Sequence, residues 1–306
     1  MNVLVATDME GIGGIDDYRD CLPSHPAAYA RGCGLMTDEA IVAIEAIRAS
    51  GGGRISVGDW HMVGTNVERD RVPGAEVRPI AELALVEDEP SMSKAHGGPL
   101  DAVVFVGHHA STRNRRGFCS HTFVWGMEVT LDGEPLNEVQ VYAQGLAAEG
   151  IPVLVASGDR WMLEELGEGE LGGARLVPTK EGQGRARARS YDLRSTRAGL
   201  AEAISAALAS PPAPPPPRSY PAELRIAVEG EELARRTVPS ASDLLAEIAS
   251  VFRASPQVAR EYRQLAKLLP AKSASLTQRA HRRLGAAAAT PVMLAKERSW
   301  LRAAAA

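Results

Sequence analysis

Carboxylates and imidazoles in this chain of 306 residues cluster just after short apolar runs. Val3-Leu4-Val5-Ala6 leads into Asp8-Met9-Glu10 and then Gly11-Ile12-Gly13-Gly14. Arg54-Ile55-Ser56-Val57 leads into Asp59-Trp60-His61. The run from Ala102 to Val106 leads into Gly107-His108-His109, and the run from Pro152 to Ala156 into Gly158-Asp159. Glu138 stands at the expected start of a helix, after an Asp132-Gly133 turn. A mixed carboxylate and imidazole set suits Zn²⁺ or a similar divalent ion. Asp8 and Glu10 are two apart, so in an extended segment they point the same way. Two metals about 3.5–4 Å apart need a bridging carboxylate and terminal ligands on each side. Asp8, Glu10, His61, His109 and Glu138 meet that count. A water between such metals becomes a hydroxide able to attack a carbonyl or phosphoryl centre.

Each piece alone has a plain structural reading. Asp8 can cap the following turn, and His61 can be a satisfied loop residue. His108 and His109 do not easily face one site, so one of them is structural. Glu138 can simply favour the positive end of a helix dipole. The metal reading comes from their convergence. Gly11-Ile12-Gly13-Gly14 lacks both GxxxxGK[ST] and GxGxxG, which argues against a nucleotide loop. There is no GxSxG elbow. Cys119 and His121 are too close in sequence to make a good nucleophilic pair.

The elements that must position these groups follow from the pattern. Short apolar runs alternate with helical stretches, the signature of a mostly parallel α/β sheet with helices on both faces. Runs without alternation suit strands covered on both sides. In such sheets ligands bind outside the carboxyl ends of the strands. Glu128 to Leu131 reads as a further strand before the tight turn. Thr37 is the expected cap of a helix with Ile41, Ile44 and Ile47 on one side, ended by Gly51-Gly52-Gly53. Other helices are expected from Asn137 through Leu146, over 160–166 and over 195–209.

The proline run 211–217 marks a boundary and is expected to be stiff and extended. It divides the chain into a metal-binding catalytic part, 1–210, a linker, 211–218, and a smaller α-rich C-terminal region, 219–306. That region is expected to hold a strand at Leu224–Val228 and helices near 240–253 and 256–268. Pro270 stops the second helix. An Ala- and Arg-rich end follows, partly helical and frayed at its tip.

Net charge is −4, which disfavours a general nucleic-acid binder. Residues 260–302 hold ten Lys/Arg against two Glu, read as a basic segment on an acidic body. No apolar run is long enough for a membrane span. Three cysteines, Cys21, Cys33 and Cys119, with no CxxC spacing and no visible signal peptide fit a reducing cytoplasm.

The motifs taken in order resemble the D-aminopeptidase family, peptidase family M55. Asp8-Met9-Glu10-Gly11-Ile12 is similar to its opening. Tyr29-Ala30-Arg31-Gly32 with Met36-Thr37-Asp38-Glu39 resembles its first helix. Asp59-Trp60-His61, then Gly107-His108-His109-Ala110 with Ser120-His121, resemble its second and third site loops. Asp132-Gly133-Glu134-Pro135 through Asn137-Glu138 is similar to its turn and last ligand. The resemblance spans about residues 1–209 and fades after Pro217.

It implies a homo-oligomeric zinc aminopeptidase acting on short peptides with an N-terminal D-residue, assembled as a decamer of two stacked pentameric rings. It implies two zinc ions held by Asp8, Glu10, His61, His109 and Glu138, with Asp8 bridging. His121 is then the catalytic histidine that is not a ligand. On this reading Asp59 orients a ligand imidazole, and either one of the metals or a nearby carboxylate such as Asp159 holds the substrate amine. Two departures bear on substrate. Trp60 stands where the family has a small residue. The loop 111–117 carries Arg113, Arg115 and Arg116. These motivate the rival of another dinuclear amidase or a phosphoesterase. A non-catalytic interaction protein that keeps the fold is the remaining alternative.

Overall fold

A computed structural model describes residues 1–62, 64–72, 74–79 and 91–255. In chain order the elements are β1 (Val3–Thr7), α1 (Pro26–Ala49), β2 (Ile55–Asp59), β3 (Glu76–Pro79), α2 (Met92–His96) and β4 (Ala102–His108). Next come β5 (Met127–Leu131), β6 (Glu134–Pro135), α3 (Glu138–Glu149), β7 (Val153–Asp159), α4 (Arg160–Glu165), β8 (Arg175–Gly182) and β9 (Ala188–Ser190). The last are α5 (Leu193–Ala209), β10 (Ala222–Val228), β11 (Glu231–Val238) and α6 (Ala241–Ala254).

Seven strands form the main sheet in the order β3-β2-β1-β4-β7-β8-β9. All neighbours are parallel except β8 and β9. The interior strand β1 shows why the runs do not alternate. Leu4 and Ala6 enter one core with α3 and α6, while Val3 and Val5 enter the other with α1 and α5. Both faces are therefore covered. β1 lies between β2 and β4, with Thr7 beside Asp59 and Val106. The carboxyl ends of three strands thus meet at one edge.

The first helix begins earlier than Thr37. It starts at Pro26, a residue suited to the first helical position, where its missing N–H costs nothing. Gly32 is tolerated within it because the helix lies against the Asp20 carbonyl, which a Cβ would approach to 2.2 Å. Thr37 sits mid-helix, its hydroxyl donating to the Cys33 carbonyl at 2.7 Å and accepting from the Glu68 N–H at 3.0 Å.

The second sheet has the order β11-β10-β5-β6 and is antiparallel throughout. Asp132 and Gly133, both at positive φ, turn β5 into β6. After the proline run the chain returns to add β10 along β5, with Ile226 opposite Val129. Asn137 caps α3 reciprocally with Gln140, so the helix start that carries Glu138 is tightly fixed. The expected helix over 256–268, Pro270 and the basic Ala/Arg-rich end lie outside the described residues. No helix among the described residues is long and apolar enough to cross a membrane.

Candidate active site

The loop after β1 is locked to the end of β4 by close backbone contact. The Gly11 N–H donates to the Gly107 carbonyl at 2.7 Å, and a Cβ on Gly11 would lie 2.0 Å from the His108 carbonyl oxygen. Gly107 has φ 75°, and its missing Cβ leaves room for the Asp8 carbonyl. The next glycines have their N–H groups occupied. Gly13 donates to Glu39 Oε1 and Gly14 to Ser190 Oγ. The glycines therefore serve backbone packing and are not a phosphate cradle.

This locking brings Asp8, Glu10, His61, His109 and Glu138 together in the interior, none more than 4% exposed. Asp8 stands between the two histidines. Its Oδ1 is 3.5 Å from His61 Nδ1 and its Oδ2 is 3.1 Å from His109 Nε2. Glu10 Oε2 is 3.0 Å from His61 Nδ1, and Glu138 Oε1 is 3.5 Å from His109 Nε2. The outer nitrogens are held by the backbone. His61 Nε2–H donates to the Cys21 carbonyl at 2.8 Å, and His109 Nδ1–H to the Ala110 carbonyl at 3.1 Å. A carbonyl only accepts, so in the neutral rings the inner nitrogens carry lone pairs. His109 Nε2 is buried with no aligned hydrogen-bond partner. Neutral inner nitrogens would face these carboxylates acceptor to acceptor, a clash that either a proton on each ring or a metal ion between the groups resolves.

His121 stacks on His109 with ring centres 4.1 Å apart and planes at 14°. Its Nδ1–H donates to the Cys119 carbonyl at 2.8 Å, so its Nε2 faces Glu138 Oε1 at 3.9 Å. Two sets have ligand atoms all within 4.8 Å of one another: Asp8, Glu10 and His109, and His109, His121 and Glu138. His121 is therefore also within reach of a metal.

The charges respond to this crowding. Burial acts against the Asp8 carboxylate, but His109 and His61 outweigh it and hold the group well below its usual range. Burial also opposes the charged form of His109, yet Asp8 and Glu138 push it up to about 10. Glu138 is pushed up to about 7, mainly by burial. His121 is pushed down to about 3 by burial and by its neighbour His109, so it is neutral.

Other residues singled out in the sequence lie elsewhere. His108 points away, with Nε2 on the Ala6 carbonyl and its ring edge against Phe105. Trp60 also points away from the cluster, packing on Tyr142 at 4.2 Å in the core beneath. Asp159 is not available to a substrate amine, because its two oxygens accept the N–H groups of Phe118, Trp161 and Gly182. Asp59 does not bond the His61 ring. It grips Asn66, whose amide in turn holds the His61 carbonyl. In the arginine loop, Arg113 pairs with Glu128, and Arg116 lies over Trp161 near Glu164.

Several supporting groups carry no sequence signal. The carbonyls of Cys21 and Cys119 act through the backbone, which any residue type could supply. Lys180 and Thr179, on β8, are far from every motif in sequence but hold the Glu10 loop.

The sequence profile of the D-aminopeptidase family matches residues 1–252, beyond the proline run where the motif resemblance fades. Among solved structures, the chain is similar to the Zn-dependent D-aminopeptidase DppA from Bacillus subtilis, a self-compartmentalizing protease. The TM-score is 0.68 at 20% identity, covering 85% of this chain and 98% of that one. No curated relative matches the chain. The profile match over most of the length places this chain in the D-aminopeptidase family, as a metallo-aminopeptidase.

Proposed function

We propose that the chain is a zinc-dependent aminopeptidase that hydrolyses short peptides, with an N-terminal D-residue preferred. Asp8, Glu10, His61, His109 and Glu138 would hold two zinc ions, with Asp8 shared. The observation that carries this reading is the Asp8 carboxylate, whose two oxygens face inner nitrogens of His61 and His109 on either side. When bound, zinc supplies Lewis acidity at the scissile carbonyl and a lowered pKa for the attacking water.

The protein's own groups handle the proton. His121 Nε2, fixed by its Nδ1–H bond to Cys119, accepts the proton of the attacking water. The same atom returns it to the leaving amine nitrogen. The Glu138 carboxylate, 3.9 Å away, steadies the imidazolium between the two steps.

We also infer a homo-oligomer, a decamer on the family pattern, because the similar DppA is described as self-compartmentalizing. Three cysteines without disulfide partners support a reducing, cytoplasmic setting.

The test is zinc content per chain by elemental analysis after zinc incubation, for wild type and Glu10→Ala, followed by paired D- and L-peptides. Close to two zinc in the wild type, fewer in the variant and faster cleavage of the D-series are expected. Little zinc in the wild type overturns the metal reading. Equal rates on both series overturn the D-preference.

A further inference from the structure

Lys180 is fully buried on β8. Its ammonium donates to the Glu10 carbonyl at 2.7 Å and to the Ile15 carbonyl, and lies 4.7 Å from the centre of the Phe118 ring. A lysine has three N–H donors, and two carbonyls and a π-face account for all three. Among the described residues, no carboxylate forms an ion pair with it. A buried cation of this kind is costly, and an apolar side chain of equal length would fill the space without that cost. The neighbouring Thr179 hydroxyl donates to the Gly11 carbonyl. Two consecutive residues of β8 thus grip three carbonyls of the turn from Glu10 to Ile15.

The position of the Glu10 carbonyl sets the direction of its Cα–Cβ bond. That direction in turn decides whether the carboxylate meets His61 Nδ1, 3.0 Å away. We propose that Lys180 is a positioning residue of the metal centre, fixing the Glu10 backbone and so setting zinc affinity on the Glu10 side. The proposal rests on the reading of Glu10 as a zinc ligand. Outer groups that orient ligands typically change metal affinity by about 10–100-fold when removed.

The experiment is zinc affinity by chelator competition for Lys180→Met and Lys180→Gln, each in the wild-type and Glu10→Gln backgrounds. Circular dichroism of the metal-free proteins reports folding. Lys180→Gln keeps N–H donors for the carbonyls and covers a failure of Lys180→Met to fold. The expected result is a loss of about 10–100-fold for Lys180→Met and a smaller loss for Lys180→Gln. In the Glu10→Gln background the loss should shrink to about threefold or less, because the group Lys180 acts through is gone. Unchanged affinity in the wild-type background overturns the proposal. An equal loss in both backgrounds does so too, because it marks a purely structural role. A wild type that binds no zinc overturns the zinc reading itself, a result distinct from both.

Discussion

Glu39 allows a test of how the loop after β1 is supported. It sits on α1, 1% exposed, with Oε1 accepting the Gly13 N–H at 2.8 Å and Oε2 left without a partner. Burial is the main cause that pushes its carboxyl up from 4.5 to about 7, against the pull of the Gly13 N–H, Lys180 and Arg197. The folded protein therefore keeps a proton that the unfolded chain releases near pH 4.5. Between those two values the native state binds more protons, so stability falls as pH rises. The contribution is fully present below the unfolded value and is lost as pH passes through the folded one. At about 1.4 kcal/mol per pKa unit, the full loss is about 3.5 kcal/mol. Some 2.5 kcal/mol of it, roughly, falls between about pH 5 and about pH 8. Glu39→Gln keeps the carbonyl acceptor for Gly13 and removes the titration. The assay is urea unfolding of both proteins in chelator across that range. Other titrating groups cancel in the difference between variant and wild type. The variant should gain on the wild type by about 2.5 kcal/mol as pH rises. A difference that stays flat with pH would refute a buried Glu39 held protonated.

His121→Ala should keep its zinc and lose turnover by about 10²–10⁴-fold; loss of zinc in that variant, read by elemental analysis, would make His121 a ligand. Trp60→Phe should cost about 1–3 kcal/mol in denaturant unfolding and leave KM unchanged, because the indole packs on Tyr142 in the core. A shifted KM would return Trp60 to the substrate pocket. Asp159→Asn should cost about 2–4 kcal/mol, since one oxygen that accepts backbone N–H groups becomes a donor facing them. A selective rise in KM with unchanged stability would restore Asp159 as the amine-binding group.

What could be read from the sequence depended on how local the cause was. The apolar runs at Val3, Ile55, Ala102 and Val153 are strands because burial on both faces demands continuous apolar residues, and that demand is written in each run. Asp8, Glu10, His61 and His109 were legible because each closely follows one of these strands, and Glu138 because it opens a helix after a clear turn. β8 was not legible. Its sequence, Arg175 to Gly182, mixes charges, a proline and a lysine, because one side of it is partly exposed and Lys180 is buried as a cation. The residue pattern began α1 too late, at Thr37, although the family resemblance put Tyr29 to Gly32 on that helix: Gly32 and Gly34 lower helix propensity, while the contact that makes Gly32 favourable, the Asp20 carbonyl, comes from outside the helix. Trp60 and Asp159 were misjudged because adjacency to a ligand or to a strand end does not say which way a side chain points. Trp60 alternates away from His61, and Asp159 turns into backbone N–H groups that only the fold assembles.

Glu138 differs from the other four candidate ligands in what holds it. Asp8, Glu10, His61 and His109 stand on loops of one parallel sheet edge, so their spacing follows from strand register. Glu138 comes from α3, which packs on the sheet and is also held on its other side. Gly145 of α3 meets Leu245 of α6 so closely that a Cβ would lie 2.6 Å from Leu245 Cδ1. Gln144 accepts the Arg218 N–H at 2.8 Å and the Tyr220 hydroxyl at 3.2 Å. The β5–β6 hairpin that leads into α3 is flanked by β10. All of these partners lie after the proline run at 211–217. The chain on the far side of that run thus adds a third hold on Glu138, beside the Asn137–Gln140 capping box at the start of its helix and the packing of α3 on the parallel sheet.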